Sequence, residues 1–243
     1  MADIVGPAGG AKEPQASVRT PQWHGFSDWP SGGRSAKTLR MINQVFTTPV
    51  LTDQSGITEA ELAEIREYLR SLRSRLPSEQ FSNRGGWHSP GNLLFTNEYR
   101  QFPAMNAAIS RAITAYIRGV FAFQGDIPIS ITGWTVINRP GDDNAIHNHA
   151  ANVISGALYI SVPEGMTGGA IAFQDPRFNL TAHVTPIMRN LGIRPPWMEE
   201  LLRITPGAGS IILFPSWLNH YVEKFAHKDP EAVRIVVSFN ATI

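Results

Sequence analysis

Residues 129–162 read ISITGWTVINRPGDDNAIHNHAANVISGALYISV, and this stretch predicts a β fold. Its runs of Ile, Val, Thr and aromatic residues are interrupted by turns that contain Gly and Pro, which is the pattern of short strands. The same pattern continues toward the C-terminus, so that the strand-like runs are Ile129–Asn138, Asn152–Val162, Ala170–Phe173, Gly209–Phe214 and Arg234–Ala241. Several short strands of this kind favour a closed or two-sheet β structure.

Two helices are predicted before these strands. Thr58-Glu59-Ala60-Glu61 is a capping box, and apolar residues follow it at helical spacing, which predicts a helix from about Glu59 to Arg75. A second helix should span about Ala104 to Phe121, with Ile109, Ile113, Ile117 and Val120 facing inward. We therefore expect a mainly β, α+β architecture, in which N-terminal helices pack on an antiparallel jelly roll.

The remaining segments are less regular. Residues 1–38 are rich in Gly, Pro, Ser and Ala, which indicates a flexible N-terminal segment and leaves residues 39–243 as a single jelly-roll domain. A strand is expected at about Ile42–Thr47. A short helix is expected in the interruption that runs from about Thr185 to Leu202.

Composition limits the possible classes of function. Of 243 residues, 42% are hydrophobic and 17% are charged, so a folded core is feasible. The net charge of +1 gives no support for a nucleic-acid or membrane-surface partner. The chain has no cysteine, which excludes disulfides, zinc–thiolate sites and thiol nucleophiles, so a metal must be held by His, Asp, Glu or water. No targeting segment or membrane-length apolar run is visible, which predicts a cytoplasmic protein.

The pair His147-Asn148-His149 indicates a metal site. Side chains alternate along a strand, so two histidines separated by one residue project to the same side. His220 follows a buried strand later in the chain, and that strand would bring a third imidazole toward the pair. Iron(II) that activates oxygen needs three protein ligands on one face and open positions for an organic chelate and O₂. The three histidines therefore predict a non-haem iron centre.

Arg234 opens the last predicted strand and shares one face of it with Val236 and Ser238. A buried guanidinium needs an anionic partner, and the far end of a dicarboxylate provides a bidentate one. This strand therefore predicts a site for an organic acid co-substrate beside the metal.

At these residues the chain resembles the 2-oxoglutarate/Fe(II)-dependent oxygenases, and most closely a largely uncharacterised bacterial and phage group. One part of the similarity is the stretch from Trp134 to Arg177, with His147-x-His149 at its centre. The other part consists of Phe214-Pro215-Ser216, His220, Arg234 and Ser238-Phe239-Asn240.

The resemblance implies a double-stranded β-helix that uses Fe(II), 2-oxoglutarate and O₂. Iron would be bound by His147, His149 and His220. Arg234 would hold the C5 carboxylate of 2-oxoglutarate, and Ser238 and Asn138 are expected to contribute to the co-substrate site. No catalytic residue beyond the metal ligands is expected, and hydroxylation is the expected outcome.

Two residues depart from the pattern of the wider superfamily. His149 stands where Asp or Glu is usual, so Asp142, Asp143 or Asp175 remains a candidate for a carboxylate ligand. Val236 stands where a serine is common two residues after the arginine, which leaves Ser238 as the nearest hydroxyl on that face.

Two other functions remain open at the level of sequence. Gly141-x₅-His147-x-His149 and Gly209-x₅-Pro215 fit much of a cupin motif, which predicts the same fold without 2-oxoglutarate, although the cupin carboxylate is missing. The other is a non-catalytic β-sandwich binding module. For an oxygenase, the substrate is a protein side chain, a free amino acid or a small metabolite, and nucleic acid is disfavoured. Loops around Trp87, Trp134 and residues 176–200 are expected to select it.

Overall fold

The computed structural model describes residues 46–91, 102–126, 128–177, 184–192 and 200–242. The N-terminal segment 1–38 lies outside these ranges, and so does most of the strand expected at Ile42–Thr47. The two residues of that expected strand that are described, Phe46 and Thr47, are not in a strand.

The described residues form three helices and thirteen strands. The helices are α1 (Glu59–Arg75), α2 (Pro103–Phe121) and α3 (Val184–Asn190). The strands are β1 (Leu51–Gln54), β2 (Asn83–Arg84), β3 (Trp87–His88), β4 (Ser130–Asn138), β5 (Asp143–His147), β6 (Ile154–Ser161), β7 (Thr167–Gly168), β8 (Ile171–Gln174), β9 (Leu201–Ile204), β10 (Ser210–Pro215), β11 (His220–Val222), β12 (Phe225–Ala226) and β13 (Arg234–Thr242).

The strands build two main sheets with antiparallel pairing. The larger sheet has the order β1-β10-β6-β13-β4-β3, and the smaller one has the order β2-β5-β11-β8-β9. A small third sheet pairs β12 with β7. The five strand-like runs of the sequence correspond to β4, β6, β8, β10 and β13, whereas the short strands β5 and β11 were not predicted as runs.

The alternation of side chains along the central strands separates two hydrophobic layers. On β13, Ile235 and Val237 pack in the same cluster as the inner faces of α1 and α2. Val236 faces the opposite way and packs with Tyr159 and with Phe173 of β8. The larger sheet is therefore covered by helices on one face, and its other face looks toward the smaller sheet. Residues at the second set of positions are the ones that can line a site between the sheets.

The first helix forms as its sequence predicts. The amide of Thr58 donates to Glu61 Oε2 at 2.8 Å, and the amide of Glu61 donates to Thr58 Oγ1 at 3.3 Å, which completes the capping box. The second helix begins at Pro103 and ends at Phe121, close to the predicted bounds. The inward placement of Val120 is wrong, because the buried stripe ends at Ile117 and the last turn is left uncovered, with Val120 38% exposed.

The interruption between β8 and β10 contains the short helix α3, as expected. Its later part also contains β9, which extends the smaller sheet beyond β8 and was not predicted. None of the described helices combines the length and the apolar composition that a membrane crossing requires.

Candidate metal centre

The three predicted histidines come together at one end of the space between the sheets. His147 ends β5, His149 follows two residues later, and His220 begins β11. Their candidate ligand nitrogens all lie within 4.8 Å of one another. Among the residues that the structure describes, this is the one group of three or more His, Asp or Glu side chains with such spacing. The backbone amide of His149 donates to Ser216 O at 2.7 Å, which anchors the residue beyond the end of β5.

Two of the imidazoles are oriented by backbone carbonyls. His147 Nδ1 lies 2.7 Å from Ala145 O, and His220 Nδ1 lies 3.0 Å from Leu218 O. A carbonyl can only accept, so Nδ1 carries the proton in these contacts and Nε2 keeps its lone pair. This is the arrangement in which a histidine binds a metal through Nε2.

Burial keeps the imidazoles neutral. Desolvation and, to a smaller extent, the charge of neighbouring histidines lower the pKa of His220 to about 3 and that of His149 to about 4. Desolvation also lowers the pKa of His147, while its hydrogen bond to Ala145 opposes this change. Metals bind the neutral form, so the three groups are in the correct protonation state for a metal near neutral pH.

The carboxylates considered as alternative ligands lie in other interactions. Asp142 accepts a hydrogen bond from the amide of Arg139 at 2.7 Å. Asp143 lies 3.9 Å from Arg84 and 3.8 Å from Lys224. Asp175 pairs with Arg177 at 2.8 Å. No Asp or Glu in the described ranges joins the histidine group, so the face that can hold a metal consists of imidazoles.

The histidines open into a cavity of about 600 Å³ between the sheets. Its described lining includes residues of both main sheets, and Arg234 is the one formally charged side chain among them. Arg234 is 2% exposed, and its Nη1 donates to Gly169 O at 2.7 Å, while Nε has no hydrogen-bond partner. Burial lowers the pKa of Arg234, but a guanidinium remains charged in proteins. A buried cation without a carboxylate partner marks a place for an anionic ligand.

Tyr159 and the cavity-facing side chains of β13 line the cavity together with Arg234. Tyr159 is 1% exposed, and desolvation raises its pKa to about 12, so its hydroxyl keeps its proton and can donate to an anion. Val236 and Ser238 line the same cavity as Arg234, as their shared strand face predicts. The residues present therefore suit a dicarboxylate that reaches from the histidines to Arg234.

Asn138 is fully buried and is not among the described residues that line the cavity, and its Nδ2 donates to Asn144 Oδ1 at 3.3 Å. Asn144 Nδ2 donates in turn to Ser82 Oγ at 3.3 Å, and Ser82 Oγ lies 3.4 Å from His147 Nε2. Asn138 thus stands at the end of a hydrogen-bonded chain that reaches a candidate metal ligand.

Sequence reasoning missed several residues of this site. Tyr159 could have been found, because it shares strand parity with Ala157 on a run already predicted as a strand, and both line the cavity. Ser82 and Asn144 carry no such signal, since they meet His147 only through the pairing of β2 with β5. His88 is not in the histidine group, but it lines the cavity.

Part of the chain is similar to a known protein family. Residues 132–240 match the family model described as "Putative 2OG-Fe(II) oxygenase". That segment contains the three histidines and Arg234. No curated protein sequence matches the chain.

Solved structures resemble the whole fold at low identity. A prolyl-4-hydroxylase from Pseudomonas putida is 14% identical with a TM-score of 0.52, over 81% of this chain and 93% of that one. A prolyl hydroxylase from Trichoplax adhaerens, in complex with a peptide fragment of hypoxia inducible factor, is 9% identical with a TM-score of 0.54, over 79% and 83%. HygX from Streptomyces hygroscopicus, with nickel, 2-oxoglutarate and hygromycin B bound, is 14% identical with a TM-score of 0.52, over 81% and 83%. These similarities confirm the predicted mainly β fold with helices, a double-stranded β-helix.

Proposed function

We propose that this protein, which carries a 2OG-Fe(II) oxygenase domain at residues 132–240, is a dioxygenase that hydroxylates an organic substrate. In the proposal, iron is held by His147, His149 and His220. The observation that carries it is the buried, unpaired Arg234 in the same cavity as the three imidazoles. A metal site alone does not require that cation, whereas a dicarboxylate co-substrate does.

The family uses Fe(II) and 2-oxoglutarate, which together supply the oxidation: one atom of O₂ enters the substrate while 2-oxoglutarate becomes succinate and CO₂. The protein's own contribution is to bind and orient these groups and to exclude water. The apolar side chains of Ile171, Phe214 and Val222 line the same cavity as the histidines and the arginine. They replace water around the co-substrate and so strengthen its pairing with Arg234.

The two ends of the co-substrate site have separate roles in the proposal. Arg234 offers a guanidinium to the far carboxylate, and the neutral Tyr159 hydroxyl donates to the same anion. Ser238 lies on the same strand face and supplies a further hydroxyl. Asn138 acts indirectly on the co-substrate site, because its amide holds Asn144, which lines the cavity.

The all-imidazole face gives the metal no anionic protein ligand. Three neutral imidazoles leave the full charge of Fe(II) uncompensated, so an incoming 2-oxoglutarate dianion supplies the first negative charge at the metal. This arrangement favours tight coupling between metal and co-substrate, since each is bound more weakly without the other.

The substrate is a small molecule or a protein side chain, O₂ is the second substrate, and the net charge of +1 gives no support for nucleic acid. We place the protein in the cytoplasm. A chain without cysteine gains nothing from an oxidising compartment, and reducing conditions keep iron ferrous.

The test is succinate formation from 2-oxoglutarate and O₂ by iron-loaded protein, even without added substrate. Wild type should release succinate slowly, and His220→Ala and Arg234→Met should both abolish the release. A cupin-type enzyme predicts iron binding without succinate, and a binding module predicts neither. Either of these two outcomes would overturn the proposal.

A further inference from the structure

A row of aromatic rings leads from the surface to the metal face. Phe81, which is 68% exposed, lies 4.9 Å from His88 between ring centroids. His88 stacks on Trp134 at 5.8 Å with an interplanar angle of 18°. Trp134 lies 5.5 Å from His149, one of the three histidines of the metal face. We call these four side chains the aromatic row. All four line the cavity.

One ring nitrogen of His88, Nε2, has no hydrogen-bond partner among the described residues. Its side chain is buried, with 5% exposure, and its Nδ1 lies 2.7 Å from Ser89 O, so that Nδ1 carries the proton. In the described structure, Nε2 makes no hydrogen bond, and it belongs to a side chain that lines the cavity. Desolvation lowers the pKa of His88, which keeps Nε2 an acceptor. An acceptor that lines a cavity and has no hydrogen-bond partner among the described residues is available to a donor on a ligand.

Apart from Arg234, the described residues that line the cavity carry no formal charge. The described lining holds no Asp, Glu or Lys, and its one charge, Arg234, is assigned to the co-substrate. The polar side chains that remain are uncharged: Ser82, Asn144, Asn148, Ser155, Ser238 and Asn240. A charged substrate group would lose its hydration there without gaining a counter-ion, which is unfavourable.

We propose that the substrate presents an uncharged N–H or O–H donor to Nε2 of His88, so that an amide or an alcohol, and not a zwitterion, occupies the cavity beside the iron. This inference rests on the proposed function, because it assigns Arg234 to 2-oxoglutarate. The described lining offers no carboxylate that would pair with the ammonium group of a free amino acid, so we expect free amino acids to bind more weakly than their neutral derivatives.

The experiment measures binding without turnover. Protein loaded with Zn²⁺ and 2-oxoglutarate is mixed with matched pairs of probes, and saturation-transfer NMR reports which member binds. One arm compares N-acetyl amino-acid N-methylamides with the corresponding free amino acids. The other arm compares neutral hexoses with the corresponding hexosamines and uronic acids. We expect binding by neutral members of at least one arm, with charged members roughly tenfold weaker or worse.

Two variants of His88 test the residue itself. His88→Phe keeps a ring beside Trp134 but removes the acceptor, and should weaken binding of the neutral probe by roughly tenfold. His88→Gln restores an acceptor without the ring and should recover part of that loss. Both variants should bind metal and 2-oxoglutarate as wild type does, because His88 lies outside the histidine group.

The outcomes separate this inference from the function on which it rests. If wild type fails to bind metal and 2-oxoglutarate together, the proposed function fails. If that binding is intact, the inference is overturned by equal binding of charged and neutral probes, by binding of no neutral probe, or by a His88→Phe variant that binds as wild type does.

Discussion

His147 and His220 are direct cross-strand partners in the antiparallel ladder between β5 and β11, and their ring centroids lie 4.3 Å apart. The same residue of β11 is paired on its other side with Phe173 of β8, so two neighbours set its register. A slip of one residue would turn His220 to the opposite face of the sheet. The metal face is therefore a property of strand pairing between segments that are distant in the chain.

Replacing His220 by alanine should abolish tight metal binding. The variant keeps two of the three imidazoles. Its metal affinity should fall by more than the roughly 10–100-fold that is typical when a hydrogen bond to a metal ligand is lost. Equilibrium dialysis with Ni²⁺, followed by metal analysis, measures it. His227→Ala is the matched control, because His227 is partly exposed, lies outside the histidine group and hydrogen-bonds to the backbone of Glu164. Equal loss of metal in both variants would contradict the assignment.

Replacing Arg234 by methionine should weaken co-substrate binding without lowering the stability of the protein. The buried charge has no carboxylate partner among the described residues, so an apolar side chain of similar length should leave the free energy of unfolding unchanged or raise it by about 1–4 kcal/mol. Loss of the charge pair should weaken 2-oxoglutarate binding by roughly 30-fold or more. Calorimetry measures both. Arg203→Met, at an exposed arginine paired with Glu223, should affect neither, and a destabilised Arg234→Met protein would show that the arginine is structural.

Tyr159→Phe removes only a hydroxyl and should weaken 2-oxoglutarate binding by roughly 10–150-fold, the range for a hydrogen bond to a charged group. Its metal affinity without co-substrate should not change. Tyr116 is the matched control, because it is also buried but its hydroxyl donates to Pro49 O in the other hydrophobic layer. If Tyr116→Phe and Tyr159→Phe bind 2-oxoglutarate equally well, the Tyr159 hydroxyl does not contact the anion.

Ser82→Ala should bind metal more tightly than wild type. The Ser82 hydroxyl lies 3.4 Å from His147 Nε2 and uses the lone pair that a metal needs, so metal binding must displace it. Without that competitor, affinity should rise by roughly two- to tenfold. The metal-free protein should lose about 0.5–1.5 kcal/mol, because the hydroxyl also accepts from Asn144. Ser74→Ala, on the exposed face of α1, should leave both quantities unchanged, and weaker metal binding in Ser82→Ala would refute the competition.

The metal-free protein should become less stable as the pH falls below 6.5. The unfolded chain protonates His149 and His220 near the ordinary value of 6.5, whereas burial lowers their pKa in the folded protein to about 4 and about 3. The unfolded state therefore takes up protons that the native state does not, and stability is lost progressively as the pH falls from 6.5 toward 4. Thermal unfolding of wild type and His220→Gln across this window checks the sign. The stability of His220→Gln should depend less on pH than that of wild type, and an equal or steeper pH dependence would contradict this prediction.

The sequence contained much of this fold but not all of the site. The bounds of α1 and the positions of β4, β6 and β13 follow from local signals, namely a capping box and runs of β-branched residues. Arg234 and Ser238 could be placed on one face because strand parity is a local property. The chain from Asn138 to Ser82 could not be foreseen, because it depends on the pairing of β2 with β5 and on a fully buried amide.

The position of His88 could not be predicted from the sequence either. As a single histidine in a glycine-containing loop, it offered no pattern that distinguishes a buried contact from a surface residue. Its place in the cavity depends on the pairing of β3 with β4, which sets His88 opposite Val136 and stacks its ring on Trp134. Tertiary pairing of short strands, which carry little sequence signal, determines this part of the cavity.

The most direct test of the central claim is an anaerobic titration of Fe(II) and 2-oxoglutarate into metal-free protein, observed through the visible charge-transfer band of the chelate. The account predicts a saturable band in wild type, a much weaker one in Arg234→Met and none in His220→Ala. Iron binding without the band, or a band that survives the loss of His220, would contradict the account.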